Sequence, residues 1–147
     1  MSYDLQQLRT IISTGLAASV TESMGTLTLG FRALSGREMP VYVERLASGQ
    51  LLLSDGGETW MDLVSESYSP AAPSQPDERR LSALAALYGL NWHRRALVAV
   101  CDDGDVLDAA RRLTMAAAAV DAWRVWAPEP ILAKPRVVAG VGGAIDA

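Results

Sequence analysis

The chain has 147 residues, half of them hydrophobic, so it is long enough to bury a core and too apolar for global disorder. Its formal net charge is −4, whereas a general nucleic-acid-binding protein usually carries a basic excess. The longest apolar run without a charge, about residues 113–120, is far shorter than the roughly 20 residues that span a bilayer, so we expect no membrane partner.

The cysteine content and the first residues bear on the compartment. Cys101 is the single cysteine of the chain, which excludes an internal disulfide and fits a reducing environment. The first residues lack the basic segment and apolar core that are typical of a secretory signal. We therefore expect a cytoplasmic protein.

The first third of the chain predicts a helix followed by three strands. Apolar residues recur at helical spacing over residues 4–20. Polar and apolar side chains alternate over residues 26–33, a second strand covers about residues 41–44, and the apolar residues 51–53 form a third. Short turns separate these strands, so we expect an antiparallel β-meander.

The middle of the chain predicts two helices and a loop. Residues 58–64 suit a short helix, and the proline-rich residues 69–76 indicate an exposed loop. Asp77 can cap the next helix, and Gly89 can end it. This part of the chain therefore packs helices against the predicted meander.

The last part of the chain predicts one strand, one long helix and a tail. Residues 92–100 suit a single strand, and a helical stripe runs from Val106 to about Trp123. Pro128 stops that helix. We therefore expect one domain over residues 1–127 and an extended C-terminal tail over residues 128–147.

Together these elements predict an α+β fold in which helices pack on one face of an antiparallel β-meander sheet. The residues predicted to form the core are Leu8, Ile11, Ile12, Leu27, Leu29, Phe31, Val41, Val43, Leu51, Leu53, Leu63, Leu84, Leu87, Val98, Val100, Leu113, Val120 and Trp123.

The segment Ser54-Asp55-Gly56-Gly57 follows the predicted third strand and has two interpretations. A loop carboxylate beside glycines can bind a metal or orient a catalytic base. Alternatively, Asp55 or Ser54 accepts hydrogen bonds from backbone amides and caps the following helix, while the glycines permit a sharp reversal. We favour the structural interpretation.

This segment and its surroundings resemble the bacterial and phage family known as domain of unknown function 1828. In that family a meander strand ends in a Leu-Ser-Asp-Asp/Gly-Gly motif, and a short helix follows with an apolar residue where Leu63 stands. A helix with basic residues near its start, as at Arg79 and Arg80, precedes a Tyr/Phe-Gly-Val/Leu step, here residues 88–90. The resemblance covers about residues 4–125 and implies an association with phages or mobile elements, without a settled activity.

Three other patterns suggest chemistry, and each fails a spacing test. On a continuous strand His93 and Cys101 would lie roughly 26 Å apart, too far for a nucleophile and its base. The acidic residues 102–105 do not extend to an EF-hand loop, whose twelfth position would be Leu113, and they fit a helix N-terminus. The glycine run at 140–143 lacks a strand–helix context. We therefore expect no catalytic residue, metal or cofactor.

Three arginine pairs allow a local basic surface despite the net negative charge. Arginine suits bidentate recognition of phosphates and carboxylates, so converging pairs could bind nucleic acid or an acidic protein. The alternative is that they form solvated faces and pair with nearby acidic residues, and we favour this alternative. The pairs are Arg79-Arg80, Arg94-Arg95 and Arg111-Arg112, and the candidate acidic partners are Asp77, Glu78, Asp108 and Asp121.

For function, we expect a small phage- or mobile-element-type protein that binds a larger host complex and inhibits or modulates it, with an anti-CRISPR-like role as the sharpest form. The alternatives are a nucleic-acid-binding accessory factor that uses the arginine pairs, a homo-oligomeric structural protein, and a hydrolase or nuclease with a carboxylate cluster around Asp55. The predicted interface residues are Glu38, Glu44, Glu58, Asp62, Glu66, Arg79, Arg80, Arg94, Arg95, Trp126, Val137 and Val138.

Overall fold

A computed structural model of the chain describes residues 2–32, 36–67 and 78–126, without the side chains of residues 65–67 and 123–126. These ranges contain four α-helices and one six-stranded antiparallel sheet, which confirms the α+β fold. In chain order the elements are α1 (Leu5–Leu16), β1 (Ser19–Ser23), β2 (Thr26–Arg32), β3 (Glu38–Arg45), β4 (Leu51–Ser54), α2 (Glu58–Ser67), α3 (Glu78–Leu87), β5 (Asn91–His93), β6 (Ala96–Cys101), the short 3-10 turn Asp103–Asp105 and α4 (Val106–Trp126).

The strand order of the sheet is β1-β2-β3-β4-β6-β5, and every neighbouring pair is antiparallel. The first four strands form a continuous meander, of which the short turns predicted the last three strands. The chain then leaves the sheet through α2 and α3 and returns as a hairpin whose second strand, β6, pairs with β4. This order places β1 and β5 at opposite edges.

The core lies between the helices and one face of the sheet. Alternate residues of β2, β3 and β4 point into it, and residues from all four helices join the same buried cluster. Helix α4 crosses this face with small side chains, because its buried positions are mostly alanines, and small residues allow a helix to approach a sheet closely. No helix among the described residues is both long and apolar enough to cross a membrane.

The helix predicted over residues 4–20 is shorter than expected. Asp4 caps its start by accepting a hydrogen bond from the N–H of Gln7, and Leu16 is its last residue. Ala17 adopts a left-handed conformation with φ of 54°, and the chain then enters β1, a strand that the prediction missed. Val20 is the one buried residue of β1, because an edge strand has little core to face, so its sequence lacks a clear alternation.

The single strand predicted over residues 92–100 is a hairpin. Arg94 and Arg95 both have positive φ, 51° and 62°, and reverse the chain between β5 and β6. Two consecutive left-handed residues are typical of a type I′ turn, but such turns strongly favour Asn-Gly. The arginines therefore concealed the turn from sequence analysis.

The hairpin also reverses the predicted faces of β6. Leu51 and Leu53 pair with Cys101 and Ala99, and directly paired residues share a face of the sheet. Cys101 and Ala99 therefore point into the core, whereas Val100 is 50% exposed, so its assignment to the core was wrong.

Other predicted core positions also differ from the structure. Val98 is only partly buried, because it lies on the same face as Val100. Leu87, the last residue of α3, is 83% exposed, so it was also wrong as a core residue. Ile11 and Phe31 are partly buried against the core, and the side chain of Trp123 lies outside the described residues.

Candidate binding surfaces

Asp55 occupies the turn between β4 and α2, where its side chain is almost fully buried, with the residue 2% exposed. Its carboxylate accepts hydrogen bonds from the backbone N–H groups of Gly57, Thr59 and Leu97 at 3.0, 3.2 and 3.0 Å. The first two bonds cap α2, and the third ties the turn to β6. The predicted structural role of Asp55 is therefore confirmed.

The neighbours of Asp55 in the motif also have backbone roles. The Ser54 hydroxyl oxygen accepts a hydrogen bond from the N–H of Gly56 at 2.9 Å. Gly56 and Gly57 have φ of 67° and 80°, and a Cβ at Gly56 would lie 2.5 Å from the Cε2 atom of Tyr42. Glycine is required there both for the backbone conformation and for the close approach of the Tyr42 ring.

A partly buried ion pair lies at the opposite end of β4. The Arg45 guanidinium donates from Nη1 and Nη2 to the two carboxylate oxygens of Asp103, at 2.5 and 2.9 Å. The N–H of Tyr3 also donates to Asp103, and Arg45 donates to the carbonyl of Tyr3 at 2.6 Å. These contacts hold the start of the chain, the end of β3 and the start of α4 together.

The ion pair explains part of the acidic run at 102–105. Hydrogen bonding from Arg45 lowers the pKa of the Asp103 carboxyl below its ordinary value, and the same bond raises the pKa of Arg45. The sequence suggested a general role of this run at a helix N-terminus and missed the specific partner, which is 58 residues away. No group of three or more potential metal-ligating side chains occurs among the described residues.

Cys101 and His93 do not form a nucleophile–base pair. His93 pairs with Ala96 at the turn end of β6, and Cys101 is at the other end of that strand, roughly 17 Å away along five residues. Burial is the main cause that raises the pKa of the Cys101 thiol to about 11, so the thiolate that a nucleophile needs is scarce at neutral pH.

The pair Arg111-Arg112 is structural. Arg112 donates from Nη1 to the carbonyl of Gly89 at 2.8 Å, which satisfies a carbonyl at the end of α3. Its Nε donates to Asp108 at 2.9 Å, as the sequence predicted. Arg111 donates to the carbonyl of Gly15 near the end of α1 at 3.4 Å. This pair therefore joins helices and does not belong to a basic surface.

The other two arginine pairs lie at one end of the fold because Glu78, the first residue of α3, contacts the β5–β6 turn. One carboxylate oxygen of Glu78 accepts a hydrogen bond from Trp92 Nε1 at 3.0 Å, and the other lies 3.5 Å from Arg95 Nε. Arg79 and Arg80 follow in the same exposed helical turn. The contact between Glu78 and Trp92, 14 residues apart in sequence, therefore places the start of α3 beside the β5–β6 turn.

Two tryptophans lie beneath this turn. The Arg95 guanidinium carbon is 4.7 Å from the centroid of the Trp60 ring, which is a cation–π geometry. The rings of Trp60 and Trp92 are 6.2 Å apart and inclined by 54°. We call Trp60, Trp92, Arg94 and Arg95 the arginine–tryptophan cluster. Sequence analysis found the arginines and did not connect them to Trp60, which belongs to α2.

The acidic residues predicted for an interface are divided between different surfaces. Glu38 and Glu44 are exposed on β3, and Glu58 is exposed at the start of α2. Asp62 forms an ion pair with Arg37, whose guanidinium also donates to the buried Asp121 at 2.8 Å. Asp62 therefore belongs to a structural network.

Asp121, a candidate partner of the arginine pairs in the sequence, accepts a hydrogen bond from Arg37, a partner that the sequence did not suggest. The side chains of the remaining candidates lie outside the part of the chain that the structure describes. The side chains of Glu66 and Trp126 are outside the described residues, as are Asp77, Val137 and Val138.

The face of the sheet opposite the core is covered by none of the described helices, all four of which join the buried cluster on the other side. Cross-strand pairing aligns Thr28, Tyr42, Ser54 and Val98 in one row of this face, and Leu52 and Val100 in the next. We call these six residues the open sheet face. They are partly buried by one another, apart from Val100, which is exposed.

The fold and these surfaces define a class of protein: an α+β domain with a one-sided sheet, a structural Asp-Gly-Gly turn and two candidate binding surfaces. Residues 30–120 match the model of the family described as domain of unknown function DUF1828. The match covers more than half of the chain, so the chain belongs to this family. No curated protein and no solved structure matches the chain.

Proposed function

We propose that this protein is a non-enzymatic binding module that docks its open sheet face on a basic surface of a larger protein complex. The observation that carries the proposal is the one-sided sheet, in which Tyr42, Leu52, Val98 and Val100 lie on a face that no described helix covers. An accessible apolar patch with a polar surround is typical of a protein-binding surface.

The side chains that suggested catalysis in the sequence are engaged in contacts within the fold. Asp55 is engaged by three backbone amides, and a carboxylate held in this way stabilises a turn. Cys101 points into the core between the sheet and α4. Asp103 is held by Arg45. Each of these groups therefore has a structural function in the fold.

The charged residues beside the open sheet face favour a basic partner. Glu38 and Glu44 lie on the same side of β3 as Tyr42 and are exposed, and Arg32 is opposite Glu38 on β2. Charged groups at the rim of an interface steer association and select partners by complementarity. The net charge of −4 for the whole chain adds to this preference.

In its most specific form, the proposal assigns the protein to phages or mobile elements and makes it an inhibitor of a host complex, including a defence complex. The family resemblance supports this origin, and acidic residues beside an apolar patch could occupy a channel that normally holds nucleic-acid phosphates. A cytoplasmic location belongs to the same proposal.

The test uses two substitutions of matched chemistry on opposite sides of the molecule. Val100→Lys places a charge in the open sheet face, and Met115→Lys places one on α4, where Met115 is 57% exposed. Tagged wild type and both variants are purified from a native-like host, and the stoichiometric co-purifying complex is then reconstituted from purified parts and titrated by calorimetry. We expect Val100→Lys to weaken binding at least about 10-fold, because a lysine in an apolar contact must be desolvated.

Three outcomes would contradict the proposal. The first is a wild-type protein that co-purifies with no larger complex. The second is a Val100→Lys variant that binds as tightly as Met115→Lys. The third is a wild-type protein that self-associates through the open sheet face, which size measurements of wild type and Val100→Lys would reveal; that result favours the homo-oligomeric alternative.

A further inference from the structure

We infer that the arginine–tryptophan cluster is a second binding surface, independent of the open sheet face, and that its ligand is single-stranded nucleic acid. The inference rests on four features of the β5–β6 turn: a stacked guanidinium, an exposed second arginine, a strained backbone and a local excess of positive charge.

The first feature is the position of Arg95. Its guanidinium stacks on Trp60, with Cζ 4.7 Å from the ring centroid, and yet 61% of its side chain is exposed. Trp60 itself is 7% exposed and is fixed in the core by α2. The planar Arg95 guanidinium is thus held against the fixed Trp60 ring, and its exposed side is a surface on which a nucleobase can stack.

The second feature is Arg94, which is exposed at the tip of the same turn and forms no ion pair with any residue in the described ranges. It lies next to Arg95 in the chain, so a phosphate group bound by Arg94 would place the adjoining nucleotide near the stacked guanidinium. Arginine binds phosphate through two parallel hydrogen bonds, which fixes the orientation of the ligand.

The third feature is the backbone of the turn. Arg94 and Arg95 both adopt left-handed conformations, at φ of 51° and 62°, where glycine or asparagine is ordinarily found. Strained conformations of this kind occur preferentially at functional sites, where the side chain has a use that offsets the strain. The retention of two long cationic side chains in this turn is explained if both contact a ligand.

The fourth feature is the local charge. Arg79 and Arg80 lie in the first turn of α3, next to Glu78, which contacts the turn. The four arginines at this end accompany Glu78 and the exposed Glu58, and Asp77 directly precedes Glu78 in sequence, so the formal excess of positive charge is small. Arg79 and Arg80 also take part in interactions within the protein. The excess is local, which is compatible with the net charge of −4.

An acidic protein would also satisfy the charge, but it would make no use of the stacked guanidinium. Single-stranded nucleic acid offers both phosphates and bases with exposed π-faces, whereas the bases of a duplex are already stacked on each other. The combination of a cation–π stack and an exposed arginine without an ion pair in the described ranges therefore favours the single strand.

The experiment measures the fluorescence anisotropy of a labelled single-stranded oligonucleotide of mixed sequence, titrated with the full chain at about 50 mM salt and at higher salt. The key variant is Arg94→Gly/Arg95→Gly, because glycine relieves the left-handed strain and the turn should fold at least as well. The matched control is Arg9→Ala/Arg32→Ala, which removes two exposed arginines near the opposite edge of the sheet. Thermal unfolding of each variant verifies its fold.

We expect wild type and the control to bind with similar affinity, and the double glycine variant to bind at least about 10-fold more weakly with a thermal midpoint that is not lowered. The salt slope of the glycine variant should fall by about 0.7, since the phosphate contact of Arg94 is lost. Arg95→Lys, which keeps the charge and loses the planar stack, should weaken binding while leaving the salt slope unchanged.

The inference is overturned if wild type fails to bind the oligonucleotide at low salt, or if the double glycine variant binds as wild type does. It is also overturned if the control loses as much affinity as the glycine variant, or if polyglutamate of equal charge binds equally well. Val100→Lys should retain oligonucleotide binding, so failure of this inference and failure of the open sheet face as a docking surface are distinguishable.

Discussion

The two faces of the sheet differ in burial, so that neighbouring residues of one strand have different environments. On the covered face, Leu53, Asp55 and Cys101 are buried under the helices and contribute to packing or to the turn. On the open face, Leu52 and Val100, their neighbours in sequence, contact mainly other strands. Two similar side chains one residue apart thus have different environments: one packs in the core, and the other lies on the face that we propose for recognition.

The largest difference in stability between substitutions on the two faces should occur within β4. Leu53→Ala should lower the free energy of unfolding by about 3 kcal/mol, because it leaves a cavity beneath α4. Leu52→Ala should lower it by about 1 kcal/mol or less, since the side chain is already partly in water. Urea unfolding of both variants measures the difference. Equal losses would show that another element covers the open face.

The next contrast is at the end of the same strand. Asp55→Ala should lower the free energy of unfolding by about 2 kcal/mol, because three backbone N–H groups lose their acceptor. Ser54→Ala is the control and should cost about 0.5 kcal/mol, since its hydroxyl accepts one hydrogen bond near solvent. If the two variants unfolded at the same denaturant concentration, the carboxylate would not be what holds the turn.

A smaller, pH-dependent contrast is expected between Asp102 and Asp103. Hydrogen bonding from Arg45 lowers the pKa of Asp103 in the folded state, so the unfolded state binds its proton more readily. The resulting stability is present above the ordinary carboxyl pKa of about 3.9 and is lost as the pH falls through the lower folded pKa.

Asp103→Asn should therefore lower the free energy of unfolding by about 1.5 kcal/mol at pH 7, less than for a fully buried pair because Arg45 is partly exposed. It should also flatten the loss of stability below about pH 4. Asp102→Asn, at the exposed neighbour, removes the same charge and is the matched control. Thermal unfolding from pH 7 to pH 2 measures both, and an unchanged acid profile in Asp103→Asn would contradict the assignment.

The smallest effect on stability is expected for cysteines at positions 100 and 101, whose reaction rates measure the accessibility of the two faces of β6. In the wild type, Cys101 should react very slowly with a thiol reagent at pH 7, because it is buried and its pKa is raised to about 11. In a Cys101→Ala background, Val100→Cys should react at close to the rate of a free thiol, since position 100 is 50% exposed. Similar rates at both positions would mean that the register of β6 is wrong.

Much of the fold could be predicted because its signals are local. Three such signals depend only on residues that are close in sequence: the alternation of β2 and β3, the capping residues of the Asp55 turn, and the glycine at the end of α3. Edge strand β1 was missed because its residues mostly face solvent, so burial does not impose an alternation there. The faces of β6 were assigned wrongly because the chain reverses at Arg94, a residue type that does not signal a turn.

The candidate surfaces were only partly predictable. The arginine pairs are visible in sequence, but which of them are structural depends on distant groups: Arg112 ends at the carbonyl of Gly89, whereas Arg95 ends above Trp60. The acidic interface residues were chosen by charge, and the fold assigned Asp62 to a network with Arg37. Charge is a property of one residue, but its use depends on which elements the fold brings beside it.

The sequence by itself determined the order of the four helices, the meander of β2, β3 and β4, and the turn at Asp55, because hydrophobic periodicity and capping depend on near neighbours. Only the tertiary structure decided which face of β6 is buried and which arginines bond to distant backbone carbonyls. It also decided that Arg45 pairs with Asp103 and Arg37 with Asp121, across 58 and 84 residues. Such contacts depend on the packing of whole strands and helices, which no local pattern specifies.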